Sequence, residues 1–370
     1  MFLITGYSVY IFKINVGDKL ETTNNSIAIA GFRFNHMTEE SGYQQIAKYI
    51  NADYIDANNM KSSLGTSGTF KFRVNMLFFE YKLMSLAQKY NLIHFLYPEK
   101  HMCFCIPRYN NFSTKYIATM HLPFIKESNM SLRKDLKANL KAIWRKRQLV
   151  LLKRCDGIIV LSSQEEKYVR KYFPKVKVRF IPHGINVSLY RKEEVIFHKN
   201  NLLNIVVIGK NFRDDDMIIK VIKYGSEKKW RFHLIGSSKY LKIEAKKYSN
   251  VIIYPHISTR EYVELLAEMD VHFLAVTYAS ANNALLEASS AGIISVCSDI
   301  GGIHDYAVST TKFYKNLDEA IKLVEDVATM DKCYYCKQRD TTLKEVKKFA
   351  WDNVAKETEI FYNDVLETNN

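Results

Sequence analysis

The 370-residue sequence is poor in cysteine and holds no long apolar run, and each scarcity removes a class of protein. Six cysteines (Cys103, Cys105, Cys155, Cys297, Cys333 and Cys336) are too few and too scattered to staple a chain of this length, so a reducing compartment is expected. Cys333-Tyr-Tyr-Cys336 has no second pair at zinc-ribbon spacing and reads as two ordinary thiols near a helix start. No stretch reaches the roughly 20 apolar residues that span a bilayer. The opening MFLITGYSVYIFKINVGDKL is interrupted by Lys13 and lacks a basic leader and a small-residue cleavage site. It makes a poor signal peptide, and residues 1–25 are read as extra strands or a loosely attached leader. No RNA- or DNA-binding module is recognisable, which argues against nucleic acid as a partner.

What is present is apolar surface and positive charge. Hydrophobic residues at 47% and aromatics at 13% supply enough apolar surface to offset the entropy of ordering, and the length suits two domains. The formal net charge of +14 draws the chain to nucleic acid, anionic membrane or phosphorylated ligands, and charge alone does not choose among them.

Along the chain, short apolar runs alternate with helical patterns. Strands are expected at 26–31, 52–56, 92–97, 115–120, 156–161 and 176–181, with helices over 43–50, 72–90 and 164–173. Periodicity stops over Asn186–Asn201, the best linker, and resumes with strands at 203–208, 231–235, 251–254 and 271–276. Helices over 217–224, 238–247, 260–268, 317–329 and a long one over 341–367 complete the second half. Such alternation implies α/β architecture with doubly wound parallel sheets: two Rossmann-like domains facing across a cleft. The expected division is 26–185, linker 186–201, 202–345, and a C-terminal helix 346–370 packing back on the first domain.

Residues 131–154 read as a strongly basic amphipathic helix, with Leu132, Leu136, Leu140, Ile143 and Trp144 at helical spacing. It reads either as a solvated surface helix or as an interfacial helix drawn to anionic lipid. Asp214-Asp215-Asp216 directly precedes a helix, where acidic residues stabilise the N-terminus, so no metal is assigned there.

The most informative stretch is Thr277–Asp299, TYASANNALLEASSAGIISVCSD, which follows a strand-like run. A polar turn leads into a short helix over 283–290, Gly292 ends it, and a buried strand follows. In a parallel sheet such a loop delivers a helix N-terminus, whose free N–H groups and dipole attract an anion such as a diphosphate. Glu287, one turn into the helix, is placed to accept hydrogen bonds from sugar hydroxyls.

This stretch and CDGIIVLSSQEEKYVRKYFPKVKVRFIPHGIN (residues 155–186) resemble the retaining GT-B glycosyltransferases of family four, group 1, and weaker similarity runs from about Ser26 to the C-terminus. The resemblance implies a GT-B fold, a nucleotide-sugar donor as substrate, no cofactor and no metal. Glu287 matches the second glutamate of the family motif, which binds the donor ribose, while the first, which holds the transferred sugar, falls at Ala279. That replacement leaves three alternatives: an unusual donor sugar, a substitute such as Asn282, or a chain that no longer catalyses. Gly209 and Lys210 match the family's Gly-Arg turn. Asp215 stands where a lysine follows, which makes Arg213 the candidate replacement cation. His121 matches the histidine facing the transferred sugar, and Tyr254, His256 and Ile257 fall in the nucleobase pocket. Ser280, Asn282 and Asn283 would line the donor loop. Ser41 and Gly42 take the place of a glycine-rich loop, with His36, Glu39 and Glu40 as acceptor-side candidates.

The expected function is transfer of a sugar, with retention, from a nucleotide sugar to a lipid-linked or surface polysaccharide. His121, Lys210 and Arg213 would carry the chemistry. The alternative is a catalytically silent GT-B protein serving as a binding or chaperone subunit of a glycosyltransferase complex. The expected location is cytoplasmic, peripheral on the inner face of the membrane where the basic helix meets anionic lipid.

Overall fold

The structure, a computed structural model, describes residues 27–34, 40–60, 64–67, 69–101, 113–121, 147–191, 197 and 202–367. His36, Glu39, residues 1–25 and residues 131–146 of the expected basic helix lie outside the described residues. The described strands form two six-stranded sheets, parallel throughout.

The first sheet contains β1 (Ile27–Gly31), β2 (Asp53–Asp56), β3 (Leu92–Phe95), β4 (Lys115–Met120), β5 (Gly157–Val160) and β6 (Lys177–Phe180), in the order β2-β1-β3-β4-β5-β6. Around it lie helices α1 (Phe70–Leu86), α2 (Pro98–His101), α3 (described over 147–152) and α4 (Ser163–Tyr172). After β6, α5 (Val187–Tyr190) opens the expected linker, and its Tyr190 is buried.

The second sheet contains β7 (Leu203–Ile208), β8 (Trp230–Ile235), β9 (Val251–Ile253), β10 (Val271–Leu274), β11 (Ile294–Ser298) and β12 (Lys312–Tyr314), in the order β12-β11-β10-β7-β8-β9. Its helices are α6 (Asp215–Gly225), α7 (Lys239–Ala245), α8 (Thr259–Leu266), α9 (Asn283–Ser290), α10 (Gly301–His304), α11 (Leu317–Ala328) and α12 (Lys332–Glu345). The central strands β7 and β10 are buried along their whole length, as continuous apolar runs covered on both faces must be. The edge strands β2 and β9 are partly exposed.

The expected single helix over 341–367 is not what forms. The α12 helix ends at Glu345, a 3₁₀ turn spans Val346–Phe349, Ala350 is extended, and α13 (Trp351–Leu366) begins anew. The break is held by the first domain. Ile185 donates its N–H to the Phe349 carbonyl at 2.9 Å, and the Trp351 ring lies so close to Gly184 that a Cβ there would sit 2.2 Å from it. The chain then returns to the first sheet, and Trp351, Val354, Ala355, Phe361, Tyr362 and Val365 join its core. The Tyr362 hydroxyl meets buried His94 at 2.6 Å, and Lys177 pairs with Asp364 at 2.5 Å. The helix expected over 43–50 is a 3₁₀ helix, Tyr43–Lys48. The strand β12 and the short α10 had no periodic signal, since three or four residues are too few to show one.

Candidate active site

Strand order reverses in the second sheet between β7 and β10. At such a switch point the two following loops diverge to opposite faces and leave a crevice beyond the carboxyl ends of the strands. Those loops are the turn after β7, which carries Gly209, Lys210 and Arg213, and the stretch from Ala275 to Asn282, which leads into α9. They are bonded to each other. Asp214 N–H donates to Ala275 at 3.1 Å, Thr277 N–H to Phe212 at 2.9 Å, and Arg213 and Val276 form an antiparallel bridge.

The β7 turn is bent tightly. Gly209 has φ 85°, which glycine tolerates, and Phe212 has φ 55°, a conformation that strains a side-chain-bearing residue. The Arg213 guanidinium braces the turn, donating to the Ile208 carbonyl from Nε at 2.9 Å and from a terminal nitrogen at 2.7 Å, and to Asn211 at 3.0 Å. Lys210 is exposed at the turn's surface. Asp214 caps α6, its carboxylate accepting from Met217 N–H at 3.0 Å, with Asp215 and Asp216 in the first turn, as acidic residues before a helix should be.

The α9 helix forms where Asn282 accepts from Leu285 N–H at 3.0 Å and stops where Gly292 adopts φ 80°. The Asn282 side-chain oxygen is therefore engaged in capping, while Asn283 is exposed at the first helical position. Glu287 keeps some surface, but its carboxylate is enclosed, and burial pushes its pKa up to about 7. The Tyr262 hydroxyl, which donates to it at 2.6 Å, the Arg213 charge and the Tyr190 hydroxyl all act in the opposite direction. Arg213 thus serves both loops, bracing one and lending charge to the carboxylate of the other. Tyr254 stacks on His233 and hydrogen-bonds it at 2.9 Å, while His256 is exposed and Ile257 half-buried beyond β9.

In the first sheet the order reverses between β1 and β3. Gly42, with φ 96°, turns the chain into the 3₁₀ helix, and the Gln44 side chain donates to the Ser41 carbonyl at 2.5 Å. His121 stands at the end of β4 between the rings of Tyr43 and Tyr97, at centroid distances of 4.9 and 4.8 Å. Its Nδ1 is 3.9 Å from Glu99, whose carboxyl burial pushes up to about 7. His183 is buried between Tyr43 and Trp351, its Nδ1 2.6 Å from the Gly184 carbonyl, and burial lowers its pKa to about 4.

The carboxyl edges of the two sheets face each other. Tyr306, just after α10, donates to the Leu161 carbonyl at 2.7 Å and accepts from His183 N–H at 3.0 Å. Asp305 accepts from Ser163 N–H at 2.8 Å. Tyr278 and Ser280 both donate to Glu165 of α4. Burial first, then the charges of Glu287 and Glu40, raise the Tyr190 pKa, so Glu40 lies near the Glu287 pocket. Ala279 is buried, its carbonyl packed where a Cβ on Gly302 would approach to 2.0 Å. Sequence reasoning missed Tyr190, Tyr262 and Glu165, because nothing in the spacing of either tyrosine or of this glutamate marks which helix end it will meet.

Comparison with known proteins agrees with this architecture. Residues 62–189 match the family model Glycosyltransferase Family 4, and residues 204–329 match Glycosyl transferases group 1. A curated relative, an uncharacterized 41.2 kDa protein in the cps region of Klebsiella pneumoniae, is 24% identical over 197 residues, which is 49% of this chain and 55% of that protein. The match thus spans about half the length of the relative. Among solved structures, sucrose-phosphate synthase from Thermosynechococcus elongatus superposes with a TM-score of 0.66 at 15% identity, over 92% of this chain and 99% of that one. Anabaena Alr3699/HepE in complex with UDP-glucose gives 0.62 at 11% identity, over 91% and 99%. These two share the fold. Two facing doubly wound sheets, matched by the two family models in the same order, place the chain among the GT-B glycosyltransferases of family 4, group 1.

Proposed function

We propose that the chain transfers a sugar, with retention and without a required metal, from a nucleotide sugar to a lipid-linked or surface polysaccharide acceptor. The observation that carries the reading is Glu287, enclosed one turn into α9 at the switch point of the second sheet and flanked by Tyr262 and Arg213. A carboxylate there accepts both ribose hydroxyls. Lys210 and the N–H groups opening α9 meet the diphosphate, and the peptide groups after β9 hold the base. His121 faces the transferred sugar from the first domain, with Ser41 and Gly42 on the acceptor side. No side chain is assigned as a covalent nucleophile. The UDP-glucose bound by a protein of the same fold makes uridine nucleotides the first donors to try, and the capsule-region relative supports a polysaccharide acceptor.

The test is a calorimetric screen of UDP, GDP, ADP and CDP and their common sugar conjugates against wild type and Glu287→Ala. Equal binding by both proteins overturns the site, and inversion at the anomeric carbon of the product overturns retention. The basic segment 131–154 would dock the protein on the cytoplasmic membrane face, so flotation with liposomes should need anionic lipid and weaken with salt. Among the described residues no helix is long and apolar enough to cross a membrane.

Ala279 supports a second reading, a silent partner subunit of an active transferase, because this loop position has no carboxylate. Nucleotide binding without turnover of any donor, together with stimulation of a co-expressed transferase, would favour it.

A further inference from the structure

Glu165 occupies the third position of α4, where a capping-box carboxylate would fold back onto the N–H of its own cap residue, Ser162. It reaches out of its domain instead. Tyr278 donates to one of its oxygens at 2.5 Å and Ser280 donates to the other at 2.8 Å. Glu165 is 6% exposed and Ser280 7%, so both groups are removed from water. Ala279 lies between the two donors, and its carbonyl is closed off by Gly302. The loop that has no carboxylate of its own is therefore gripped on both sides of the alanine by a carboxylate from the other domain.

The grip has fixed geometry. Asp305 holds the Ser163 N–H, Tyr306 holds the Leu161 carbonyl, and Gln164 packs on Gly301, so the start of α4 is seated in the loops that follow β11. The first turn of a helix also favours an anion, and both carboxylate oxygens of Glu165 accept there. Moving the domains apart at this seam strips the carboxylate of two donors and frees the stretch just before the α9 cap at Asn282.

We propose that Glu165 is a positioning residue of the donor site, supplied by the first domain, which holds residues 278–280 in their binding geometry so that nucleotide affinity depends on the domains being engaged. This rests on the donor-site reading above. By linkage, a bound nucleotide must favour the engaged arrangement as much as engagement favours the nucleotide.

Hydrogen exchange on the full chain reads the grip, and calorimetry with UDP, GDP, ADP and CDP reads its consequence, in wild type, Glu165→Ala, Glu165→Gln, Tyr278→Phe and Glu166→Ala. Losing two hydrogen bonds to a charged acceptor should speed exchange over 275–286 and weaken the nucleotide by about tenfold in Glu165→Ala. Glu165→Gln should show a smaller change in the same direction and guards against a failure of the alanine variant to fold. Tyr278→Phe should show part of the Glu165→Ala effect, and adding it to Glu165→Ala should change little. Glu166→Ala should match wild type. Unchanged exchange over 275–286 in Glu165→Ala overturns the proposal, as does faster exchange with unchanged nucleotide affinity, which would mark a brace and nothing more. If wild type binds none of the four nucleotides while exchange responds as expected, the donor reading fails and the grip stands.

Discussion

Glu287 and Glu165 each accept a hydrogen bond from a tyrosine hydroxyl, yet the two contacts belong to different levels of the structure. Tyr262 reaches Glu287 from α8 of the same sheet, so that pair forms whenever the second domain folds. Tyr278 reaches Glu165 from the opposite domain, so that pair exists only while the carboxyl edges meet. Burial also pushes the Glu287 pKa up to about 7, against the Arg213 charge beside it. On the readings proposed above, the difference separates a carboxylate that would meet a ligand from one that would report the arrangement of the domains.

The sharpest test of that division is Glu287→Ala. Two charge-assisted hydrogen bonds to a ribose contribute about 1.5–3 kcal/mol each, so nucleotide affinity should fall at least 100-fold, against about tenfold for Glu165→Ala. Calorimetric titration of both variants gives the ratio, and equal losses would erase the distinction. pH sharpens it further. The carboxylate form is the acceptor, so nucleotide binding should weaken toward tenfold per pH unit below about 7 and level off above it. Stability has the opposite slope. Because the folded pKa of Glu287 lies above the ordinary value of 4.5, the folded state holds more protons between those values, and stability drops as pH climbs through that window. Glu287→Gln removes this slope, so its melting temperature should gain on wild type as pH increases from about 4.5 to 7. His183 contributes the reverse: with its pKa lowered to about 4, it withdraws stability as pH falls below the ordinary 6.5.

Much of the second domain was legible because its signals are local. The α9 helix over 283–290 follows from Asn282 before it and Gly292 after it, and the buried runs of β7 and β10 are long enough to be unmistakable. The candidate site was legible only where a motif carried it, at Gly209, Lys210, Ala279 and Glu287. The break at Ala350 was illegible because 341–367 is helix-forming throughout, and what interrupts it is Ile185 and Gly184, more than 150 residues earlier in the chain. Glu165 was illegible for the same reason. Its neighbours in sequence predict a surface helix start, and its partners come from the loop after β10.

The seam itself can be strained without touching either carboxylate. Gly184→Ala would place a Cβ 2.2 Å from the Trp351 ring, and Gly302→Ala would place one 2.0 Å from the Ala279 carbonyl, a backbone atom. Each should destabilise the protein by about 1–3 kcal/mol in denaturant unfolding. Gly302→Ala should also weaken nucleotide binding, because the carbonyl it displaces belongs to the gripped loop, while Gly184→Ala should leave the loop in place. Gly301→Ala meets the tip of a flexible side chain, the Gln164 amide oxygen at 2.6 Å, and should have a smaller effect. If all three lose nucleotide affinity equally, domain engagement rather than loop geometry controls the site.

The smallest expected effect tests whether burial or mere charge distinguishes Glu165. Glu166 is the next residue on α4 and also accepts a charged hydrogen bond, from Arg170 at 2.7 Å, but that arginine is 61% exposed and the pair is an i,i+4 contact on one helix. Such pairs contribute about 0.3–0.5 kcal/mol and are screened by salt. Glu166→Ala should therefore shift the unfolding midpoint barely, lose even that shift at high salt, and leave exchange over 275–286 unchanged. A loss comparable to that of Glu165→Ala would mean that negative charge at the start of α4, acting through the helix dipole, holds the domains together. The two hydroxyl contacts would then be incidental. Equality with wild type would leave the buried, doubly bonded carboxylate as the element that joins the domains at the donor loop.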